Sequence, residues 1–115
     1  MLTACFFYKA AEYPDNINLV ESGLFFRFDA TNILRKNLAS IITSISKDHL
    51  DWLPNSKQTI EKIVFEKTSS LLESNIVVAK QNDEQTMNLI KKTIKKNRSN
   101  KIYYDEEYYF KKKEN

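Results

Sequence analysis

Few side chains in this sequence have the types and spacing needed for chemistry. His49 is the only histidine, and the acids nearest to it are Asp48 and Asp51. One imidazole and two carboxylates in a short loop are too few ligands for a closed zinc site. No second histidine is present to complete a catalytic pair. We therefore interpret Asp48 or Asp51 as a turn or capping residue, with Trp52 anchoring the loop on the core.

The residues needed for nucleophilic catalysis and for phosphate binding are equally few. Cys5 is the only cysteine, it lies in an apolar segment that predicts a strand, and His49 is the only base available to it. The only glycine is Gly23, and glycine-rich phosphate loops need several. We predict that the protein is not an enzyme and that it has no cofactor and no metal. An unrecognised small enzyme with two convergent carboxylates is the third hypothesis.

The C-terminal part of the chain contains a cluster of tyrosines and acids. Tyrosine gives large contact area with a polar tip, and neighbouring carboxylates can meet the cations of a partner. We predict a protein-binding surface made of Tyr103, Tyr104, Asp105, Glu106, Glu107 and Tyr109. The alternative is an edge strand whose tyrosines pack inward while its acids prevent edge pairing.

The segment Ile102-Tyr103-Tyr104 with Asp105 resembles the patch with which immunity proteins of nuclease colicins block their toxins. The resemblance is one of chemistry, since those proteins are helical bundles. It implies that this cluster covers the active site or a functional surface of a toxin. The leading hypothesis is accordingly a small inhibitor, most concretely an immunity protein or antitoxin, whose partner is a protein.

A basic stretch precedes this cluster. Between residues 91 and 101 the chain has six positive charges and no negative one, on Lys91, Lys92, Lys95, Lys96, Arg98 and Lys101. These cations could follow a nucleic-acid backbone, so a nucleic-acid-binding regulator is the alternative function. They could equally be a solvated helix end that complements the helix dipole. The net charge of only +3 favours the second interpretation.

The patterns that position these residues predict strands at both ends of the chain. Apolar and other residues alternate over 2–9, and 17–20 and 24–29 flank a turn at Gly23 that we expect to need a positive φ. The alternation over 102–110 predicts a final strand. An N-terminal hairpin and this C-terminal strand would together form a small antiparallel sheet.

The middle of the chain predicts helices. Asp29 or Thr31 can cap a first helix that runs to about Ser46, and capping patterns at Asn55 and Asn82 begin a second and a third. The apolar run 76–79 fits either a strand or a helix.

These elements predict an α+β fold, in which the antiparallel sheet packs against two to three helices. With 115 residues, the chain fits a single domain over 1–110 and a frayed basic tail over 111–115. The first ten residues lack the basic start of a secretory signal, and no apolar run approaches the roughly 18 residues of a membrane span. We expect a cytoplasmic protein with no membrane partner. The sequence leaves its oligomeric state open.

Overall fold

Helices and strands alternate along most of the chain. The computed structural model describes residues 2–111, so residues 112–115 of the predicted tail lie outside the described residues. Within that range there are three α-helices and three strands, in the order α1 (Leu2–Ala10), β1 (Ala39–Ile42), α2 (Ile60–Thr68), β2 (Asn75–Val78), α3 (Glu84–Ile94) and β3 (Lys101–Tyr103). Short 3-10 turns lie in the connections, at Phe26–Phe28, Leu50–Trp52 and Asn55–Lys57.

The three strands form one parallel sheet in the order β1-β2-β3. Ile42 lies opposite Val78, and Val78 lies opposite Tyr103. Helix α2 connects β1 to β2, and α3 connects β2 to β3. A parallel pair needs such a crossover, because the chain must return to the starting edge of the sheet before the next strand begins.

The core lies between one face of the sheet and the helices α2 and α3, which pack against each other. Its buried apolar side chains come from β1 and the following loop, α2, β2 and α3; they are Ile42, Ile45, Leu53, Ile63, Val64, Ile76, Val78, Ile90 and Ile94. Side chains alternate between the faces of a strand, so the row Ile41, Val77 and Ile102 lies on the opposite face. Ile41 is 60% exposed there.

Both core helices begin at a side-chain cap. Thr59 accepts a hydrogen bond from the backbone N–H of Lys62 at 3.2 Å, and Asp83 accepts one from Thr86 at 2.7 Å. Such caps satisfy backbone donors that have no partner within the helix. The predicted second and third helices are therefore present, with later starts than expected. Within residues 2–111, no helix has the length and apolar character needed to cross a membrane.

The predicted antiparallel sheet is wrong. The segment expected to be its first strand is helix α1, which has no buried residue, and Cys5 on it is exposed. The predicted hairpin around Gly23 contains no strand, and the φ of Gly23 is not positive. The predicted C-terminal strand is limited to β3 and runs parallel to β2. The reason is the pair of crossover helices, which brings the three later strands together in one direction and leaves the N-terminal segment outside the sheet.

The predicted first helix is also wrong. Its range, from Asp29 or Thr31 to Ser46, contains strand β1. The run 76–79, which the sequence left open, is largely strand β2. Periodicity could not separate the two states in these short apolar segments, and pairing between β1 and β2 decides for strand. Trp52 is 70% exposed and does not anchor its loop on the core.

Candidate functional site

The carboxyl ends of all three parallel strands meet at one edge of the sheet, which is where ligands bind in open α/β sheets. Gln81 ties two of the loops at this edge together. Its Oε1 accepts a hydrogen bond from the Ile45 N–H at 2.9 Å, and its Nε2 donates to the carbonyls of Thr43 and Ala79 at 3.1 and 2.8 Å. Gln81 is 8% exposed. This buried amide therefore fixes the loop that follows β1 against the one that follows β2.

An acid, an imidazole and an ammonium group converge at the end of the loop that follows β1. Lys67, in the last turn of α2, donates from Nζ to Asp48 Oδ2 at 3.3 Å, and His49 Nε2 lies 3.7 Å from the same oxygen. Asp48 Oδ1 is buried without a hydrogen-bond partner among the described residues. We call Asp48, His49 and Lys67 the edge cluster.

The backbone at His49 has φ 56°, in the left-handed region. Residues other than glycine adopt this region at an energetic cost, and such residues concentrate at functional sites. The imidazole of His49 also contacts the ring of Phe25 edge to face, with 6.3 Å between centroids and 89° between planes. The edge cluster thus combines an unpaired buried carboxylate oxygen with a strained neighbouring residue.

The segment 23–32 borders this cluster and is organised by Asp29. The Asp29 carboxylate accepts hydrogen bonds from the Gly23 N–H at 2.9 Å and from the N–H and hydroxyl of Thr31 at 2.8 and 2.5 Å. Burial opposes ionisation of this carboxyl group, but the hydrogen bonds from Thr31 and Gly23 outweigh that effect and hold its pKa below its usual value. A Cβ at Gly23 would lie 3.2 Å from Asp29 Oδ2, so glycine leaves room for the contact.

The edge cluster suits an anionic ligand better than a metal ion on its own. The ammonium of Lys67 and the imidazole N–H of His49 can both donate hydrogen bonds to phosphate or carboxylate oxygens. Between residues 2 and 111, no group of three His, Cys, Asp or Glu side chains is placed to hold a metal ion. The cluster therefore does not form a complete metal site from the described residues.

The predicted protein-binding residues are largely engaged with one another and with the adjacent helix. The Glu107 carboxylate accepts from the Tyr103 N–H at 2.7 Å, and Glu106 forms an ion pair with Lys91. Asp105 has φ 64° in the tight turn after β3. Burial raises the pKa of Tyr103, and the hydrogen bond to Glu106 raises that of Lys91. Tyr104 contacts the rings of Tyr108 and Phe110, while Tyr109 is 66% exposed.

The predicted nucleic-acid-binding cations surround the end of α3. Lys101 donates from Nζ to the carbonyls of Asn97 and Ser99 at 2.6 and 3.0 Å, which caps carbonyls near the helix end. The remaining cations are exposed, apart from Lys91 in its pair with Glu106; they are Lys92, Lys95, Lys96 and Arg98. The binding roles given to the tyrosine cluster and to this basic stretch stay predictions.

The edge cluster was not predicted from the sequence. Asp48 was expected to be a turn or capping residue, and Lys67 had no predicted role. An Asp-His pair follows strand β1 in the sequence, but the predicted helix over this strand concealed the signal. Recognising β1 as a parallel strand would have placed His49 at the ligand-binding edge.

Comparisons with known proteins point to one group of enzymes, although no family model matches the chain. It is 35% identical over 92 residues to the dihydrofolate synthase/folylpolyglutamate synthase of Bacillus subtilis (strain 168), covering 79% of the chain and 20% of that protein. It is 39% identical over 87 residues to the Haemophilus influenzae protein of the same name, covering 75% of the chain and 18% of that protein. The chain therefore spans about a fifth of the length of these relatives.

Solved structures agree with these relatives. The apo form of L. casei FPGS matches with a TM-score of 0.81 and 18% identity, covering 96% of the chain and 26% of that structure, which shows the fold. Mycobacterium tuberculosis folylpolyglutamate synthase complexed with ADP and AMPPCP matches with a TM-score of 0.79 and 27% identity, covering 96% and 25%.

These similarities correct the functional predictions. Relatives that are enzymes contradict the prediction of an immunity protein or antitoxin and the prediction that the chain has no enzymatic role. A relative solved with ADP and AMPPCP contradicts the predicted partners, a toxin or a nucleic acid. The resemblance to immunity proteins failed because it rested on a few tyrosines and acids, which are engaged within the chain.

Proposed function

We propose that this chain supplies part of a nucleotide-dependent synthase of the dihydrofolate synthase/folylpolyglutamate synthase type. The observation that carries the proposal is the combination of 27% identity and a TM-score of 0.79 with a synthase solved with ADP and AMPPCP. The identities of 35% and 39% to two curated synthases support it. The same relatives support a cytoplasmic location, since ATP is the nucleotide that AMPPCP imitates and the cytoplasm is where ATP is abundant.

In this proposal the edge cluster is the part of the reaction centre that the chain contributes. Lys67 and His49 donate hydrogen bonds to the phosphate or carboxylate oxygens of a bound substrate, and Asp48 holds the Lys67 ammonium in place. Asp48 and His49 belong to the connection that leaves the carboxyl end of β1, and parallel sheets receive nucleotides at that edge. Gln81 keeps this loop in position.

The chain acts together with further polypeptide in this proposal. Parallel sheets are normally covered on both faces, yet on the outer face Ile41 is 60% exposed and Val77 and Ile102 are only half-buried among the described residues. Large apolar side chains in the N-terminal segment are also exposed, including Leu2, Ile17 and Leu19 at 84% or more. Uncovered apolar surface of this kind marks an interaction site. That residues 1–110 form one domain stays a prediction.

An exchange experiment tests the function. The chain replaces the 92 matching residues of the Bacillus subtilis synthase, and ATP-dependent addition of glutamate to a folate is measured. We expect activity in the chimera and a loss of at least about 100-fold on Lys67→Gln, because a positioned charge at a reaction centre contributes a few kcal/mol. Lys57→Gln is the matched control, since Lys57 is an exposed lysine in a 3-10 turn.

Two results would contradict the proposal. One is a folded chimera that binds AMPPCP but has no activity, which would show that the chain cannot supply the reaction centre. The other is equal activity of the Lys67→Gln and Lys57→Gln chimeras, which would remove the edge cluster from the centre.

A further inference from the structure

We infer that the ion pair between Arg27 and Glu66 positions the His49 imidazole, acting through Phe25. The role of His49 in binding a substrate rests on the proposed function. The effect of the ion pair on the orientation of His49 can be measured without any ligand. Arg27 and Glu66 are positioning residues, since they act on His49 through Phe25.

The ion pair is buried at its acidic end and has two hydrogen bonds. Arg27 donates from Nε and Nη2 to the two carboxylate oxygens of Glu66, at 2.7 and 3.0 Å. Glu66 is 5% exposed and also pairs with Lys62 on the same helix at 2.5 Å. A two-pronged pair of this kind fixes the orientation of both groups as well as their distance.

The pair fastens the 3-10 turn Phe26–Phe28 to helix α2. The guanidinium of Arg27 lies over the ring of Phe28, with 4.1 Å to its centroid, and 5.4 Å from that of Phe65. Asn32 makes a second attachment, donating from Nδ2 to the carbonyl of Arg27 at 3.2 Å and to the Ser70 hydroxyl at 3.1 Å. The turn is thus held to the helix at Glu66 and to the residues just after the helix at Ser70.

Phe25 immediately precedes this turn and packs against the core. Its ring packs edge to face against the His49 imidazole, with 6.3 Å between the two ring centroids. His49 Nε2 also lies 3.7 Å from Asp48 Oδ2, and the side chain of His49 is 37% exposed. Because the imidazole is partly exposed and packs edge to face on Phe25, we expect the location of the Phe25 ring to set its orientation.

Helix α2 therefore fixes the edge cluster from two sides with consecutive residues. Lys67 reaches Asp48 directly, while Glu66 reaches His49 through Arg27 and Phe25. Neighbouring residues of an α-helix project about 100° apart, so one turn of helix can serve both the loop after β1 and the 3-10 turn.

The test uses the fact that His49 is the only histidine of the chain. A ¹H–¹³C spectrum of the imidazole therefore gives one set of signals, and the Phe25→Leu variant defines their positions without the neighbouring ring. We expect Glu66→Gln and Arg27→Gln each to move the His49 signals most of the way to those positions, and Arg27→Lys to restore part of the difference.

Two variants separate positioning from general destabilisation. Thr59→Ala removes the cap of α2, and Lys62→Gln removes the other partner of Glu66 without touching the turn. We expect both to leave the His49 signals in place.

The inference is overturned if a folded Glu66→Gln or Arg27→Gln variant keeps the wild-type signals, or if Thr59→Ala moves them equally. If the signals move as expected while the chimera described above lacks activity, the positioning stands and the proposed function fails.

Discussion

Replacing Gln81 by methionine removes the link between the loops that follow β1 and β2. The two side chains are similar in volume, so the substitution leaves little cavity. It removes three hydrogen bonds, those with the Ile45 N–H and with the carbonyls of Thr43 and Ala79. Because Ile45 is 4% exposed, its N–H has no ready access to water after the substitution.

The expected cost is set mainly by that stranded donor. A buried donor left without a partner costs about 1–3 kcal/mol, whereas exposed carbonyls can bond water instead. Thr43 is exposed, so its carbonyl adds little, and we expect a total loss of about 2–3 kcal/mol in the free energy of unfolding. With a urea m-value of about 1–3 kcal/mol per molar, the midpoint falls by roughly 1 M.

Urea denaturation followed by circular dichroism measures this loss. Gln85→Met is the matched control, because Gln85 is exposed near the start of α3, and we expect it to change stability by less than about 0.5 kcal/mol. A loss in Gln81→Met no larger than in this control would refute the reasoning. It would mean that the Ile45 N–H finds another partner and that Gln81 does not fix the loop.

Three further substitutions test the core, a cap and an ion pair. Ile76→Ala, at a side chain with no exposure, should lower the free energy of unfolding by about 2–5 kcal/mol, as measured by urea denaturation. Its control is Ile41→Ala, at a side chain that is 60% exposed, which should lower it by less than about 1 kcal/mol. Asp83→Ala should cost about 1 kcal/mol because it removes the cap of α3; a loss below 0.3 in the same assay would contradict the assignment. The hydrogen bond from Arg27 holds the Glu66 pKa below its ordinary value of 4.5, so its stabilisation is present above that pH and disappears as pH falls through the lowered pKa. The stability difference between wild type and Glu66→Gln should therefore be full at pH 7 and shrink below about pH 4.5; a difference independent of pH in denaturation curves would contradict this.

The elements whose stability is local could be predicted from the sequence alone. Helix α3 could be predicted because capping residues precede the apolar positions Ile90 and Ile94, at helical spacing. Helix α2 could be predicted from Ile63 and Val64 in the same way, although its cap lies at Thr59 rather than Asn55. Caps and one-sided burial act within a few residues, so they leave a pattern in the sequence.

The direction of the sheet and the edge cluster depend on contacts between segments that are distant in the sequence. Strand β1 has the apolar residues of a helix stripe, and it is a strand because β2 lies beside it. The alternation over residues 2–9 suits a strand, yet this segment pairs with none of the described strands and forms α1. Asp48 and Lys67 are separated by two 3-10 turns and most of α2, and they meet because α2 packs on the sheet. Pairing and packing between distant segments depend on the whole arrangement of the chain, and no local pattern records them.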